Sequence, residues 1–410
     1  MTPEKPSLDL LRRLTDSHVV GAVVDHGRLT RAELASTTGL SKPTVAESVR
    51  RLETAGVLAD TGERSSGPGR AGLYYDLAPG TGTAMAVAIA PEGVVAEVLD
   101  VRGAVVGRGT AQVSRPARPA TAARALERAA RSAVEAAREE GAGPVLLAVV
   151  SAADPVDRAT GRLVHLPDAP FLVGTLDPAA VLADLVEGPV VVGNDVNWSA
   201  LAELAARVPQ ASGGADDTAT GAAADAAAHA ATGRDATTAD FAYLYLGEGL
   251  GCAVVADGRV LEGAHGLAGE VAHVVVTGAR GRATAFTEVF AELGLRHEGG
   301  TAIDVDRLLE VVHGGAAGGA RTLRVLATAV ADVVSALVAL TDPQEVVLGG
   351  SWGGDPTVVE AVRERVRDAR RPVGVGPATV PGAALAGARA RAVASLRSHL
   401  VERGAGPASA

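Results

Sequence analysis

Residues 188–204 read GPVVVGNDVNWSALAEL: an apolar, strand-forming run that ends on Asn194 and Asp195 and passes at once into an Ala/Leu-patterned helix. A strand handing over to a helix is the repeating unit of an α/β sheet, and ligands bind at the carboxyl ends of such strands. A carboxylate there also suits the positive end of the helix that follows. Asp195 therefore reads in three ways, as a catalytic base, a ligand clamp or a helix N-cap.

The same alternation runs outward on both sides. AMAVAIA (84–90), VVAEVLD (94–100) and AVVGRGTAQV (104–113) read as strands, followed by a helix over about 121–139 and strands at VLLAVVS (145–151) and VVVG (190–193). A second set opens with FAYLYLGEGLGCAVVADGRVLEG (241–263). It continues through helices around 284–341, the strand EVVLGG (345–350), a helix near 355–370, a strand near 378 and a last helix to about 400. Two α/β halves imply a cleft between them. The tract 209–239 that separates them is poor in large apolar residues and reads as a disordered insertion, with His229 solvated within it.

Ahead of the α/β body the pattern is different. Leu8, Leu11, Val19, Val20, Val23 and Val24 give the stripe of a first helix that ends near Gly27. In LTRAELASTTGLSKPTVAESVRRLETAGVL (29–58), Thr30 and Glu33 make a capping box, Gly39 stops that helix, and Ser41 caps the next with Pro43 in its first turn. Val45, Val49 and Leu52 form the inward stripe and leave Lys42, Thr44, Ser48, Arg50 and Arg51 outside. ADTGERSSGPGRAGLYYDL (59–77) then supplies a Gly-rich hairpin, with Arg64 and Arg70 at its tip. This is the layout of a winged helix-turn-helix, in which Lys42 and Thr44 reach base edges, Arg50, Arg51, Arg64 and Arg70 serve phosphates or groove shape, and Ser41 and Ser48 complete the DNA-binding set. A helix-turn-helix used only for protein contacts is the plainer alternative.

Charge agrees with this division. The net charge is −10, yet residues 1–80 hold ten Lys/Arg against ten Asp/Glu, so the acidic excess lies downstream of a neutral, locally basic head. The opening segment carries charges within its apolar pattern, and no uncharged apolar run approaches bilayer-spanning length, which points to a cytoplasmic chain without a membrane partner. Cys252 is the single cysteine; it excludes a cysteine-rich metal site and reads as a small buried apolar residue.

GNDVNWSALAE (193–203), LYLGEGLGCAVVADGRVLEGAHGLAGEVAHVVV (244–276) and EVVLGG, in this order behind a winged helix-turn-helix, resemble the ROK family, which joins sugar-responsive bacterial repressors to sugar kinases. The resemblance implies an α/β fold: an N-terminal winged helix-turn-helix over about 7–78, then a two-lobed actin-like (RNase H-like) sugar-binding domain over about 82–400. It also implies that Asn194, Asp195, Glu270, His273 and Glu288 hold sugar hydroxyls. For His273 and Glu288 the alternative is a hydrogen-bonded structural pair.

The departures from the family are equally informative. Its first phosphate turn is replaced by AIAPEGVVAE (88–97), where Pro91 lacks a donor and Glu92 repels an anion, and its second by GEGLG (247–251), with Glu248 where a hydroxyl is expected. The family's one-His, three-Cys zinc loop corresponds here to HVVVTGARGRATAFTE (273–288), which has no cysteine. The expectation is a sugar-responsive regulator, a repressor, that is not an enzyme, needs no metal or cofactor, and binds an inverted-repeat operator as a homodimer or homotetramer. The competing readings are a regulator that has lost free-sugar sensing and a sugar kinase that kept a DNA-binding head.

Overall fold

The computed structural model describes residues 8–65, 72–114, 117–164, 171, 175–207, 240–298, 300–314 and 317–405. The expected insertion at 209–239, and Arg70 of the wing, lie outside the described residues.

The head comprises α1 (Leu8–His26), β1 (Leu29–Thr30), α2 (Arg31–Thr38), α3 (Lys42–Thr54), β2 (Leu58–Arg64) and β3 (Leu73–Leu77). Thr30 and Glu33 close the capping box reciprocally, at 3.2 Å and 2.7 Å, and Gly39 ends α2 in the left-handed region at φ 69°. Ser41 caps α3 through the Thr44 amide. The three strands pair in the order β1-β3-β2, which builds the wing on β2 and β3. The stripe of α1 is buried only from Val19 onward. Leu11, expected inward, is 47% exposed, as are Leu10 and Leu14 to a similar degree, because this end of α1 runs past the packed elements.

The first lobe holds β4 (Thr83–Ala90), β5 (Gly93–Leu99), β6 (Val105–Ala111), α4 (Pro119–Glu139), β7 (Val145–Ala152), the short α5 (Pro178–Leu182), β8 (Val190–Asn194) and α6 (Asp195–Arg207). The second holds β9 (Phe241–Leu246), β10 (Leu250–Ala256), β11 (Arg259–Val260), β12 (Val275–Thr277), β13 (Ala283–Ala285), α7 (Phe286–Glu292), α8 (Val305–His313), α9 (Ala317–Thr341), β14 (Glu345–Gly349), α10 (Pro356–Arg367) and β15 (Gly374–Pro377), after which α11 (Ala383–Ala405) returns to pack on the first lobe. The sheet orders are β6-β5-β4-β7-β8 and β11-β10-β9-β14-β15. In each, two antiparallel arms precede two parallel additions, so one topology occurs twice. The central parallel strand β7 is buried at every position, which is why its sequence is continuously apolar rather than alternating.

Two helices tie the lobes and head together. α6 leaves the first sheet and packs Val196, Ala200 and Leu204 against Phe241, Tyr243 and Ala253 of the second. α11 buries Ala388, Leu396 and Leu400 in a cluster with Val149 of β7 and with Val19, Val49 and Leu52 of the head. The head therefore shares a hydrophobic core with the body instead of hanging from a linker. Arg389 of α11 closes on the fully buried Glu97 of β5, adding a charged anchor to that joint. Among the described residues one helix, Gly318–Thr341, is long and apolar enough to cross a membrane. Its Leu326, Ala329, Val330 and Val333 instead complete the core of the second lobe.

Candidate functional site

β8 delivers Asn194 and Asp195 to the mouth of the interlobe cleft, and the helix cap falls to the first of them. Asn194 Oδ1 accepts from the Val196 amide at 2.9 Å, while its Nδ2 reaches the Asp154 carbonyl at 3.4 Å. Asp195 occupies the first position of α6 and lines a cavity of about 120 Å³ between the lobes. Burial pushes its carboxyl up to about 7; the Val196 amide opposes the rise, and the carboxylates of Asp154, Glu270 and Glu92 add to it.

Glu270 and His273 enter the same cavity from the 3-10 turn Val271–His273 and the residue before it. This turn is held by a close backbone approach: Cys252 N–H donates to Gly269 O at 2.8 Å, and a Cβ on Gly269 (φ 93°) would stand 1.8 Å from Cys252 O. Burial raises the Glu270 carboxyl, and His273 counteracts it. Cys252 itself is buried and its thiol is pushed up to about 12, which leaves it an inert packing group.

Glu288 does not join them. It is exposed on α7 and pairs with Arg296 at 3.1 Å, so the sugar-contact role expected of it is withdrawn; its neighbour Thr287 lines the cavity instead, with its hydroxyl bound by Arg296 at 2.9 Å. The other lining residues that sequence reading did not count as ligand groups include Asp154, Tyr245, Glu92 and Glu248. Burial and the charges of Asp195, Glu92 and Glu248 all push the Tyr245 phenol upward, so it stays protonated as a hydrogen-bond donor.

Both turns that would cradle phosphate are closed. Pro91 and Glu92 form a two-residue hairpin between β4 and β5, with Ala90 paired to Gly93, and this leaves no Gly-rich loop. At the second turn, Gly247 N–H donates to Gly249 O, and the indole of the buried Trp352 donates to Gly247 O at 3.0 Å. The amides of Trp352 and Gly353 are both spent on Leu246 O, at 3.1 and 3.2 Å. The amides of Gly247, Trp352 and Gly353 are thus already committed and do not serve an anion.

The residues in the place of the family's zinc loop do not fit a zinc ion. They form the β12–β13 hairpin, with Val275 opposite Ala285 and Thr277 opposite Ala283, and among the described residues no three metal-ligating side chains converge. Two carboxylates hold the hairpin: Asp332 of α9 accepts from Thr277 N–H and Glu292 of α7 from Ala279 N–H, each at 2.7 Å.

On the head, Ser41 and Lys42 are exposed and Thr44 is half-buried at the start of α3; Arg50 is exposed with its guanidinium on Glu47 at 2.6 Å, and Arg64 is exposed at the end of β2. Ser48 and Arg51 are not where they were expected. Ser48 is fully buried and donates to Asp16, itself 0% exposed on α1, and Arg51 grips the same carboxylate with Nη2 at 2.6 Å and Nε at 3.3 Å. A buried carboxylate requires such neutralisation, so both side chains belong to the packing of the head rather than to DNA contact. The signal was present: 45, 48, 49 and 52 share one helical stripe.

A winged helix-turn-helix DNA-binding model matches residues 12–59, and the ROK family model matches residues 217–373. The chain carries a ROK-family domain behind a winged helix-turn-helix. The bifunctional enzyme NanE/NanK of Brucella melitensis biotype 1 is 30% identical over 127 residues, which is 30% of this chain and 24% of that protein. Its namesake from Brucella suis biovar 1 matches to the same extent, so the chain spans about a quarter of the length of these curated relatives. Among solved structures, a ROK family transcriptional regulator described as a homolog of the E. coli MLC protein aligns with TM-score 0.61 at 14% identity, over 96% of this chain and 99% of that one. The ROK family glucokinase from Streptomyces griseus, solved with glucose and AMPPNP, aligns with TM-score 0.52 at 21% identity, over 76% and 99%. At these identities the likeness establishes the fold: a winged head on a ROK domain with the actin-like architecture of sugar kinases. The head's match to a DNA-binding model gives the chain a DNA-binding module ahead of its ROK domain.

Proposed function

We propose that the chain is a cytoplasmic transcriptional repressor whose ROK domain binds a sugar without phosphorylating it, and whose heads bind an inverted-repeat operator in a homodimer or homotetramer. One observation carries this reading. The cleft gathers Asn194, Asp195, Glu270 and His273 around one cavity, while both turns that would hold nucleotide phosphate are closed, the first carrying Glu92 and the second Glu248. Polar groups for hydroxyl recognition are retained, and those for neutralising developing phosphoryl charge are not. On the head, Lys42, Thr44, Arg50 and Arg64 remain the DNA contacts, with Ser41 as the cap that orients the first turn.

Coupling between cleft and head runs through packed backbone. Trp198, three residues after Asp195, donates from its indole to Val150 O at 3.2 Å, and its own carbonyl lies against Gly387 of α11, where a Cβ would meet it at 2.1 Å. Glu203 at the far end of the same motif accepts from the Thr379 and Val380 amides just ahead of α11, at 2.6 and 2.7 Å. α11 continues to the head, where Gly404 lies against Leu52 of α3. A ligand that moves α6 thereby moves α11 and reorients the head, a population shift set by differential binding to two arrangements.

A thermal-shift screen with free neutral and amino monosaccharides, repeated with ATP and magnesium, tests the reading. Stabilisation by a monosaccharide with no further shift and no ADP formed is expected; sugar-dependent ATP turnover overturns it. The outward position of Glu288 favours a second reading, a regulator that has lost free-sugar sensing, and absence of any shift across the panel would decide for it.

A further inference from the structure

Taking the interlobe cleft as the sugar site, the charge of its wall narrows the ligand. The cavity is lined by the carboxyl groups of Glu92, Asp154, Asp195, Glu248 and Glu270 and by His273, and among the described residues no Lys or Arg lines it. Two guanidiniums near the lining in sequence, Arg158 and Arg296, are engaged elsewhere. Arg158 binds Glu262 at 2.8 Å and Gly263 O at 2.6 Å, and Arg296 lies behind Thr287, donating to its carbonyl and hydroxyl and to Glu288.

A hydroxyl both donates and accepts, whereas an ionised carboxylate only accepts. A wall of this composition satisfies the donor side of a polyol in excess and leaves a negative potential that a neutral ligand does nothing to offset. We propose that the cavity takes a monosaccharide bearing a free, protonated amine, and that it rejects phosphorylated or carboxylated sugars.

The geometry favours an organic cation over a metal ion. The five carboxylates arrive from five separate places: the β4–β5 turn, the segment after β7, the start of α6, the turn after β9 and the 3-10 turn. They surround the cavity, and among the described residues no three metal-ligating groups come close enough to share an ion. A ring with its ammonium group fits such a distribution, because the charge meets one carboxylate while hydroxyls donate to the others.

Isothermal titration of the full-length protein at pH 7, where an alkylammonium group keeps its proton, compares glucosamine, mannosamine and galactosamine with glucose, mannose and galactose and with their 6-phosphates. The expected result is an amino sugar that binds about tenfold or more tightly than its parent hexose. The Glu92→Gln/Glu248→Gln double variant should lose most of that preference. A parent hexose or a sugar phosphate that binds as tightly as the amine overturns the proposal and leaves the sugar site standing. If no monosaccharide binds at all, both the proposal and the sugar-site reading fall.

Discussion

Arg51 of the second helix-turn-helix helix closes on Asp16 of α1, with Nη2 2.6 Å from Oδ1, and Ser48 shares the same carboxylate. The pair welds α3 to α1, and it lies where α11 ends, since a Cβ on Gly404 would stand 3.7 Å from Asp16 Oδ2. Removing one partner of a buried pair strands the other's charge. Arg51→Ala should therefore destabilise the protein by about 3 kcal/mol, the low end for such a loss because Arg51 keeps 17% of its side chain exposed. The exposed Arg50→Ala should change stability by less than about 0.5 kcal/mol. Chemical denaturation of both variants checks this, and an Arg51→Ala protein as stable as the parent contradicts the assignment.

DNA contacts sort by position on the head. Lys42, exposed in the first turn of α3, should lose roughly 1–3 kcal/mol of operator affinity on replacement by alanine and relax preference at one base position. Arg50→Ala and Arg64→Ala should weaken binding to all sequences, and each should flatten the salt dependence by about one unit of slope, since each removes one cation from a phosphate. Titrations at several salt concentrations separate these outcomes; a Lys42→Ala protein with unchanged affinity and specificity would refute the recognition-helix assignment.

The Asp195 carboxyl imposes a pH signature. Its ordinary value is 3.8, and burial with Asp154, Glu270 and Glu92 around it raises it to about 7 in the folded chain. Between those two pH values the folded state holds a proton that the unfolded state has released, so stability falls as pH rises through this window and levels off above it. Asp195→Asn removes the effect. The variant should be more stable than the parent at pH 8, by on the order of a few kcal/mol, and the advantage should vanish near pH 4. Equal pH profiles for the two proteins would show that the carboxyl is not buried as described.

Carboxylates hold the β12–β13 hairpin where the family uses a metal. Asp332→Ala frees the Thr277 amide and should cost about 1 kcal/mol, with a small loss because the contact is solvent-accessible. The purified protein should contain no stoichiometric zinc, and a chelator should leave its melting temperature unchanged. One zinc per chain by elemental analysis would overturn this account.

How much could be read from the chain depended on how local the signal was. The capping box of Thr30 and Glu33, the alternation of strands and helices, and the placing of Asn194 and Asp195 at a strand-helix junction all depend on neighbouring residues, and all occur as read. Glu288 failed because its direction depends on the helical phase of α7, which the β12–β13 hairpin sets; a step of one residue turns a side chain by about 100° and exchanges Glu288 for Thr287 at the cavity. Arg51 failed because its partner Asp16 lies on another helix, more than thirty residues away, where no local pattern reveals it, whereas the burial of Ser48 is legible in the stripe it shares with Val45, Val49 and Leu52. The contact of Trp198 with Gly387 is non-local in the same sense, yet it is the one that ties the cleft to α11.

The central claim is that ligand occupancy of the cleft changes DNA binding by the head. Fluorescence anisotropy measures it directly, using a duplex selected from random sequence on the full-length protein and titrated with and without the monosaccharide that stabilises it. The account predicts binding that requires both half-sites of an inverted repeat, a Kd that the sugar shifts by about tenfold or more, and loss of that shift in Asp195→Asn with affinity for the free duplex retained. A Kd left unmoved by a sugar that demonstrably binds the protein, or a shift that persists in Asp195→Asn, would contradict it.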